Sequence, residues 1–437
     1  MKTNLRLLLA CLLALFALGL PAAPRTIAAP ADTIFTVDTT ADLIDENTAN
    51  GTCLPGSCSL RAAIMQADVI AGPDVTIIVP SGIYTLTRPR DSTDGPDNGD
   101  LNLLTQAGDS RTITLLGAGA ASTIIDANTI DRVLSVGSNS TATLSGFTLR
   151  NGKRLDGSGG GVVISGTLTI SDSVIEDNQT NAAGGGLYDA GTLTLTRSTL
   201  RSNIAFLGGG LYVHGAATIR DSALYGNRAG YGGGIEVSAS GFASNLVIVN
   251  STLSQNSARF DGGGIDSEGA TYLYNTSIIG NDADHDHGVT GGRGGGVYAN
   301  ASSLFQVVNT LIAGNTLNSP SPDDCYGTLR GYGWNLLGDV GGCDFNSNGG
   351  NGDMSHGFIS VNTIGPLQNN GGPTLTHALL PGSEAIDTTY SQGCIDEVGF
   401  TLTTDQRGFP RGVGAACDVG AFEYSPLRYL YLPAISR

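Results

Sequence analysis

Lysine is nearly absent: among 437 residues only Lys2 and Lys153 carry it, and the formal net charge is −17. So acidic a surface repels phosphate backbones, which excludes nucleic acid as an expected partner. Helix-forming composition is scarce too, since 64 glycines and a middle rich in Thr, Ser, Val, Ile and Leu favour short strands and frequent turns. No CxxC pair occurs and no histidine adjoins a cysteine, so zinc is the weaker reading of the cysteines. Beyond the first twenty residues no apolar run is long enough to span a bilayer as a helix, and no transmembrane segment is expected.

The start, MKTNLRLLLACLLALFALGLPAAPRT, is the exception. Lys2 and Arg6 precede an apolar Leu7–Leu20, and the small Ala22 and Ala23 follow, the pattern of a secretory signal peptide over residues 1–23. The expected location is therefore extracellular, with attachment to the cell surface open. With Cys11 removed, six cysteines remain in sequence-local pairs, Cys53/Cys58, Cys325/Cys343 and Cys394/Cys417, which export favours as disulfides. Fifteen connectivities are possible for six cysteines, and neighbour pairing is the preferred one.

What is abundant is a repeat. GGG followed by an aliphatic residue begins at Gly159, Gly184, Gly208, Gly232, Gly262 and Gly294, at steps of 25, 24, 24, 30 and 32 residues. Each unit closes on an asparagine (Asn178, Asn203, Asn227, Asn256, Asn281, Asn315), at 19, 19, 19, 24, 19 and 21 residues from its first glycine. The unit at Gly208 reads as three strands, Leu211–Val213, Ala217–Arg220 and Ala223–Tyr225, each with alternating apolar positions. Three strands and their turns in about 24 residues make one coil of a parallel β-helix, so the expected class is all-β. Stacking would align an inward column, Val162, Leu187, Leu211, Ile235, Ile265 and Val297. A second would be Ile170, Leu195, Ile219, Ile248 and Leu273. Glycine then serves a tight corner, and asparagine a turn that can stack as a ladder. The general preference for right-handed parallel crossovers gives the hand.

Ahead of the repeats, CLPGSCSLRAAIMQADVIAG predicts a short capping helix, N-capped by Ser59 and presenting Leu60, Ala63, Ile64 and Ala67 to the first coil. This stretch, with PSGIYTL and GAGAASTIID after it, resembles the CSLREA-domain secreted bacterial proteins, although Ala62 stands where that motif has glutamate. The GGGI units resemble polymorphic outer-membrane-protein repeats. IGPLQNNGGPTLTHALLPGSEAIDT and TDQRGFPRGVGAACDVGAFE resemble the choice-of-anchor Q domain. The resemblance implies a secreted or surface-attached right-handed β-helix and no established catalytic residues. The resulting division is a cap at 32–74, coils at 75–320, an anchor-like module at 321–424 and a tail at 425–437 that is either a sorting segment or a last strand.

The residues one position after the inward column are Val163, Tyr188, Tyr212, Glu236, Asp266 and Tyr298, an outward ladder with neighbours about 5 Å apart. Tyrosine rings suit sugar faces, and carboxylates accept sugar hydroxyls. The ladder is therefore the candidate ligand-binding surface, set against a bland reading in which tyrosine merely favours strands. Glu236 and Asp266 are also the candidate catalytic pair, at the spacing of a retaining glycosidase. A pectin-cleaving lyase would want carboxylates beside a basic group, for which Arg197 and Arg220 near Asp172 and Asp221 are available.

For a metal, calcium being the cofactor considered, DFNSNGGNGD offers Asp344, Asn346, Asn348 and Asp353. NDADHDHG offers Asp282, Asp284 and Asp286. DSTDGPDNGD over 91–100 is a third acidic turn. The leading expectation is adhesion or recognition of polysaccharide or other cell-surface material. A polysaccharide lyase or glycoside hydrolase is the alternative. A self-associating surface-layer component is the third.

Overall fold

The computed structural model describes residues 33–426 except 54–55, 71, 73, 92–94, 107, 240–243, 285–290, 319–320, 348–356 and 390–393. The expected signal peptide, and the tail from 427 onward, lie outside the described residues. Successive coils stack in parallel into one sheet of twenty strands, a second of eleven and a third of short strands. In the coil at Gly208 the strands are Leu211–Val213, Ala216–Arg220 and Ala223–Tyr225. The first two belong to the twenty-stranded sheet and the third to the eleven-stranded one. A fourth strand of two residues, Arg228–Ala229, escapes the sequence reading because two residues show no alternation.

Both inward columns form as expected. Leu187, Leu211, Ile235 and Ile265 pair in register and are fully buried. Ile219, Ile248 and Leu273 do likewise, so the long coil between Gly232 and Gly262 accommodates its extra residues without a slip of register. Each such side chain contributes roughly 1.5–3 kcal/mol by leaving water.

The asparagines stack in a buried ladder. Asn203 Nδ2 donates to Asn227 Oδ1 at 2.9 Å and to the Ile175 carbonyl at 3.0 Å. Its Oδ1 accepts from the backbone N–H and the Nδ2 of Asn178 at 3.2 and 3.0 Å. All four hydrogen-bonding positions of the amide are filled. The same pattern runs to Asn315, whose Nδ2 donates to Asp324 Oδ1 at 2.7 Å. Asp324, read from sequence as a turn residue, thus closes the column, and burial pushes its carboxyl up to about 6.

The first glycine of each GGG run has φ between 59° and 73°. The N–H groups of the second and third donate to glycine carbonyls of the run in the next coil, as in Gly185 N–H to the Gly208 carbonyl at 3.1 Å. A Cβ on Gly186 would meet the Gly210 carbonyl oxygen at 2.6 Å, so the stacked corner requires glycine.

At the N-terminal end the helix Leu60–Val69 forms with Ser59 as its N-cap, and Leu60, Ala63, Ile64 and Ala67 are buried. Arg61, unremarked in the sequence, is 2% exposed: its Nε meets Asp42 Oδ1 at 2.6 Å, and its Nη atoms donate to the carbonyls of Gly99 and Asp100. The end of that acidic stretch, 96–100, is therefore gathered around an arginine. The three disulfides join Cys53 to Cys58, Cys325 to Cys343 and Cys394 to Cys417.

Parallel pairing continues past residue 320. Cys325–Gly331 and Gly342–Ser347 extend the large sheet, and Leu336–Leu337 and Gly357–Phe358 extend the second. From Ile364 the chain turns back and packs along the flank of the second sheet. Thr252 Oγ1 donates to Gln406 Oε1 at 2.6 Å, Ser254 Oγ lies 2.9 Å from His377 Nε2, and Ala421 N–H donates to Ser277 Oγ at 3.0 Å. Ile279, Leu311 and Leu336 share a second apolar core with Leu379, Val419 and Phe422. Residues of TDQRGFPR and CDVGAFE hold this module together: Arg407 pairs with Asp405 and lies over the rings of Phe409 and Phe422, while Arg411 bonds Asn250 and the Gly420 carbonyl.

Candidate functional site

The outward ladder forms in the expected register: Tyr188, Tyr212, Glu236, Asp266 and Tyr298 pair in sequence, and Tyr326 follows. Tyr188 and Tyr212 stack with centroids 5.3 Å apart and planes within 3°. The carboxyl positions differ from the tyrosines in depth. Glu236 is 6% and Asp266 4% exposed. The first glycine of each run overhangs the outward residue of its own coil: a Cβ on Gly232 would lie 2.8 Å from Glu236 Cα, and one on Gly262 2.6 Å from Asp266 Cβ. Short carboxyls stay beneath that turn, whereas tyrosine rings reach past it.

Burial, reinforced by the Asp266 charge, pushes the Glu236 carboxyl well above the usual range. Burial likewise raises Asp266 to about 8, with Asp261 and Glu268 adding to the effect and Arg293 opposing it. Two like carboxyls in such contact hold protons at neutral pH. Glu236 Oε2 and Asp266 Oδ1 are buried without a hydrogen-bond partner among the described residues.

Three aromatic residues at the glycine corner stand beside the ladder. Phe206 and Tyr231 meet edge to face at 5.8 Å, and Tyr231 and Phe260 lie 4.7 Å apart. Burial, and after it the charges of Asp261, Asp266 and Glu236, push the Tyr231 hydroxyl up. Opposite, an open groove of about 600 Å³ is lined by Ser238, Ser244, Asn245, Glu268, Tyr272 and Leu304 among others.

Residues 112–283 match the family model described as the right handed beta helix region. The chain is a right-handed parallel β-helix. No curated protein sequence matches it. Among solved structures, the one titled "Crystal structure of pectate lyase Pel9A" is 16% identical with a TM-score of 0.45, over 91% of this chain and 98% of that one. Among the described residues of the β-helix, no helix is long and apolar enough to cross a membrane.

Several sequence-based expectations need correction. The Glu236–Asp266 pair is covered, so it is not an open catalytic couple of the retaining kind, which must reach the sugar from both sides. Tyr298 is no free platform, because Arg293 lies 4.8 Å over both its ring and that of Tyr326 while pairing with Asp261 at 2.9 Å. Asp344 and Asn346 sit in the strand Gly342–Ser347 rather than in a calcium-binding turn; Asn348 and Asp353 lie outside the described residues. Asp282 accepts from Thr316 in a short strand, Asp284 is buried, and Asp286 lies outside the described residues. Among the described residues no group of three or more His, Cys, Asp and Glu side chains could hold a metal ion. Arg197 pairs with Asp172 at 2.6 Å, but Arg220 pairs with Glu397 of the C-terminal module, so no lyase-like pair of basic groups forms.

Phe206, Tyr231, Phe260, Asp261 and Arg293 were not singled out from the sequence. Phe206, Tyr231 and Phe260 precede the glycine runs by one or two residues, a recurring aromatic position that alignment on the glycines could have exposed.

Proposed function

We propose that this β-helix is an extracellular recognition protein that binds polysaccharide or related cell-surface material along the outer face from Tyr188 to Tyr272. The observation that carries the reading is the side-by-side placement of stacked tyrosines, an aromatic ridge and a polar groove on one rigid face. Aromatic faces cover sugar rings, polar groups between them fix orientation, and repeated weak contacts along a rod sum. The leader at 1–23 would deliver the chain to the compartment in which its three disulfides form. The C-terminal module, fastened to the opposite flank, would leave this face open.

The test is co-sedimentation of the mature protein with insoluble polysaccharides, each supernatant being assayed for new reducing or unsaturated ends. Binding without new ends, weakened in Tyr188→Ala and Tyr212→Ala, is the expected result. No binding to any polymer would overturn the reading. New ends in the supernatant would establish the enzymatic reading instead.

A further inference from the structure

We infer that the polymer bound on this face is an uncharged polysaccharide, lying along the coil axis from the polar groove onto a bed of threonines; the inference rests on the recognition reading above. The bed is a product of register. Thr76, Thr114, Thr143, Thr169, Thr194 and Thr218 follow one another in a single outward column of the twenty-stranded sheet. Thr112, Thr141, Thr167 and Thr192 form a second column, two residues away on the same strands. Their hydroxyls make no hydrogen bond with the described residues, so each is left to donate to and accept from a ligand. Strand propensity alone does not produce such columns, because the third strands of the same coils carry Glu176, Arg201 and Tyr225 at one outward position. Successive hydroxyls stand about 4.8 Å apart along the axis, a step comparable to one pyranose ring, so an extended chain meets a fresh pair at every coil.

The same columns run into the groove. Beyond Thr218 come Val247 and Tyr272, and beyond Thr192 come Ala216, Asn245 and Ala270, all but Val247 lining it. There Tyr272 offers a half-buried ring and Glu268 an exposed carboxyl group, and neither side chain is hydrogen-bonded by a described residue. An aromatic ring packs on a sugar face, and a carboxylate accepts its hydroxyls. Charge decides the class of polymer. Over the coils from Thr76 to Gln306 the two columns hold no charged residue, although the chain has 22 lysines and arginines and 39 acids. Arg220, at the neighbouring outward position, is spent on Glu397, and Arg197 on Asp172. Arg330, which follows Gln306 in the column, lies outside the groove lining. A uronate polymer would meet like charge in Glu268 and no cation on the bed, and a polyamine would find one carboxyl group for its many charges. Sugar hydroxyls, which donate and accept as threonine hydroxyls do, match both parts of the face.

The experiment uses the mature protein with hydroxyethylcellulose, xyloglucan and galactomannan as neutral polymers, polygalacturonate as the anion and chitosan as the cation. Titration calorimetry at about 0.05 and 0.5 M salt separates charge-driven from uncharged binding. A neutral polymer is expected to bind, with less than about a twofold change in affinity between the two salts. Tyr272→Ala should weaken that binding about tenfold by removing the ring from the groove. Thr194→Glu, which puts bulk and charge in the middle of the bed, should weaken it by a similar factor. Preference for polygalacturonate or chitosan, or an affinity that falls steeply with salt, overturns the uncharged class while leaving polysaccharide recognition standing. Neutral binding that either variant retains in full overturns the placement on bed and groove. Binding of no polymer removes both readings. Should a variant fail to fold, the unaltered protein's ranking of the polymers decides: a charged polymer in first place overturns the proposal.

Discussion

In the buried column each asparagine meets another asparagine, and in the outward column at Glu236 and Asp266 a carboxyl meets a carboxyl. Stacking geometry is common to both, because the turns that carry the asparagines and the strands that carry the carboxyls belong to the same coils. An amide is donor and acceptor together, so identical neighbours satisfy one another and the ladder costs nothing in unmatched groups. An ionised carboxylate only accepts, so identical neighbours leave oxygens unmatched and hold protons instead. A repeat therefore stabilises whatever is self-complementary, and shifts the titration of acids that are not.

The sharpest way to break the contrast is to move the acidic chemistry into the amide column. Asn227→Asp removes the Nδ2 donors that reach Asn256 Oδ1 and the Leu200 carbonyl, and it should destabilise the protein by about 3 kcal/mol at pH 7 in urea unfolding. Part of that loss should return near pH 5, where the acid can donate. Next in size is the glycine overhang. Gly232→Ala, at φ 59° with Glu236 Cα 2.8 Å from the new Cβ, should cost about 2–3 kcal/mol, against about 1 kcal/mol for Gly226→Ala, which has φ 64° but open space. Equal costs would mean that the overhang does not cover the carboxyls tightly.

A smaller effect concerns pH. Burial lifts Asp266 to about 8 and the core residue Asp189 to about 7, above unfolded values near 4. Between those limits the folded chain binds more protons than the unfolded one, so stability is full below about pH 4 and falls as pH rises through 7 to 8. Glu236→Gln/Asp266→Asn should flatten this decline in melts compared across pH. Smallest for stability is Tyr188→Ala, expected to cost about 0.5–1 kcal/mol by losing the stacked pair, with the larger consequence in polymer binding.

The repeat was legible because its signals are local and recur. Leu211–Val213 and Ala223–Tyr225 were readable to the residue, and Ala216–Arg220 to within one, since alternation marks the inward positions. Ser59 announced the helix by its own capping chemistry. The outward register followed from the inward one, but depth did not: the first glycine folds as closely over Tyr212 as over Glu236, and the two differ in how far the side chain reaches past that turn. Arg293 over Tyr298, and Arg220 with Glu397, join residues from different coils or from the returning C-terminal module, and no periodicity encodes such meetings. The GFPRG and CDVGAFE strings were recognisable as motifs; that they bind the chain's end to its middle is a fact of tertiary packing.

The asparagine column also has a direction. Each Nδ2 points its proton toward the following coil, and the last meets a carboxylate, Asp324, where the series of donors runs out. Coils are thus interchangeable but not reversible. Whole units could be gained or lost between Asn178 and Asn315 with the same joint re-forming each time, and the length of the outer face would change in steps of about 4.8 Å. The molecule's reach is then a quantity inherited by counting coils, while its two ends, and the single acceptor that closes the column, stay the same.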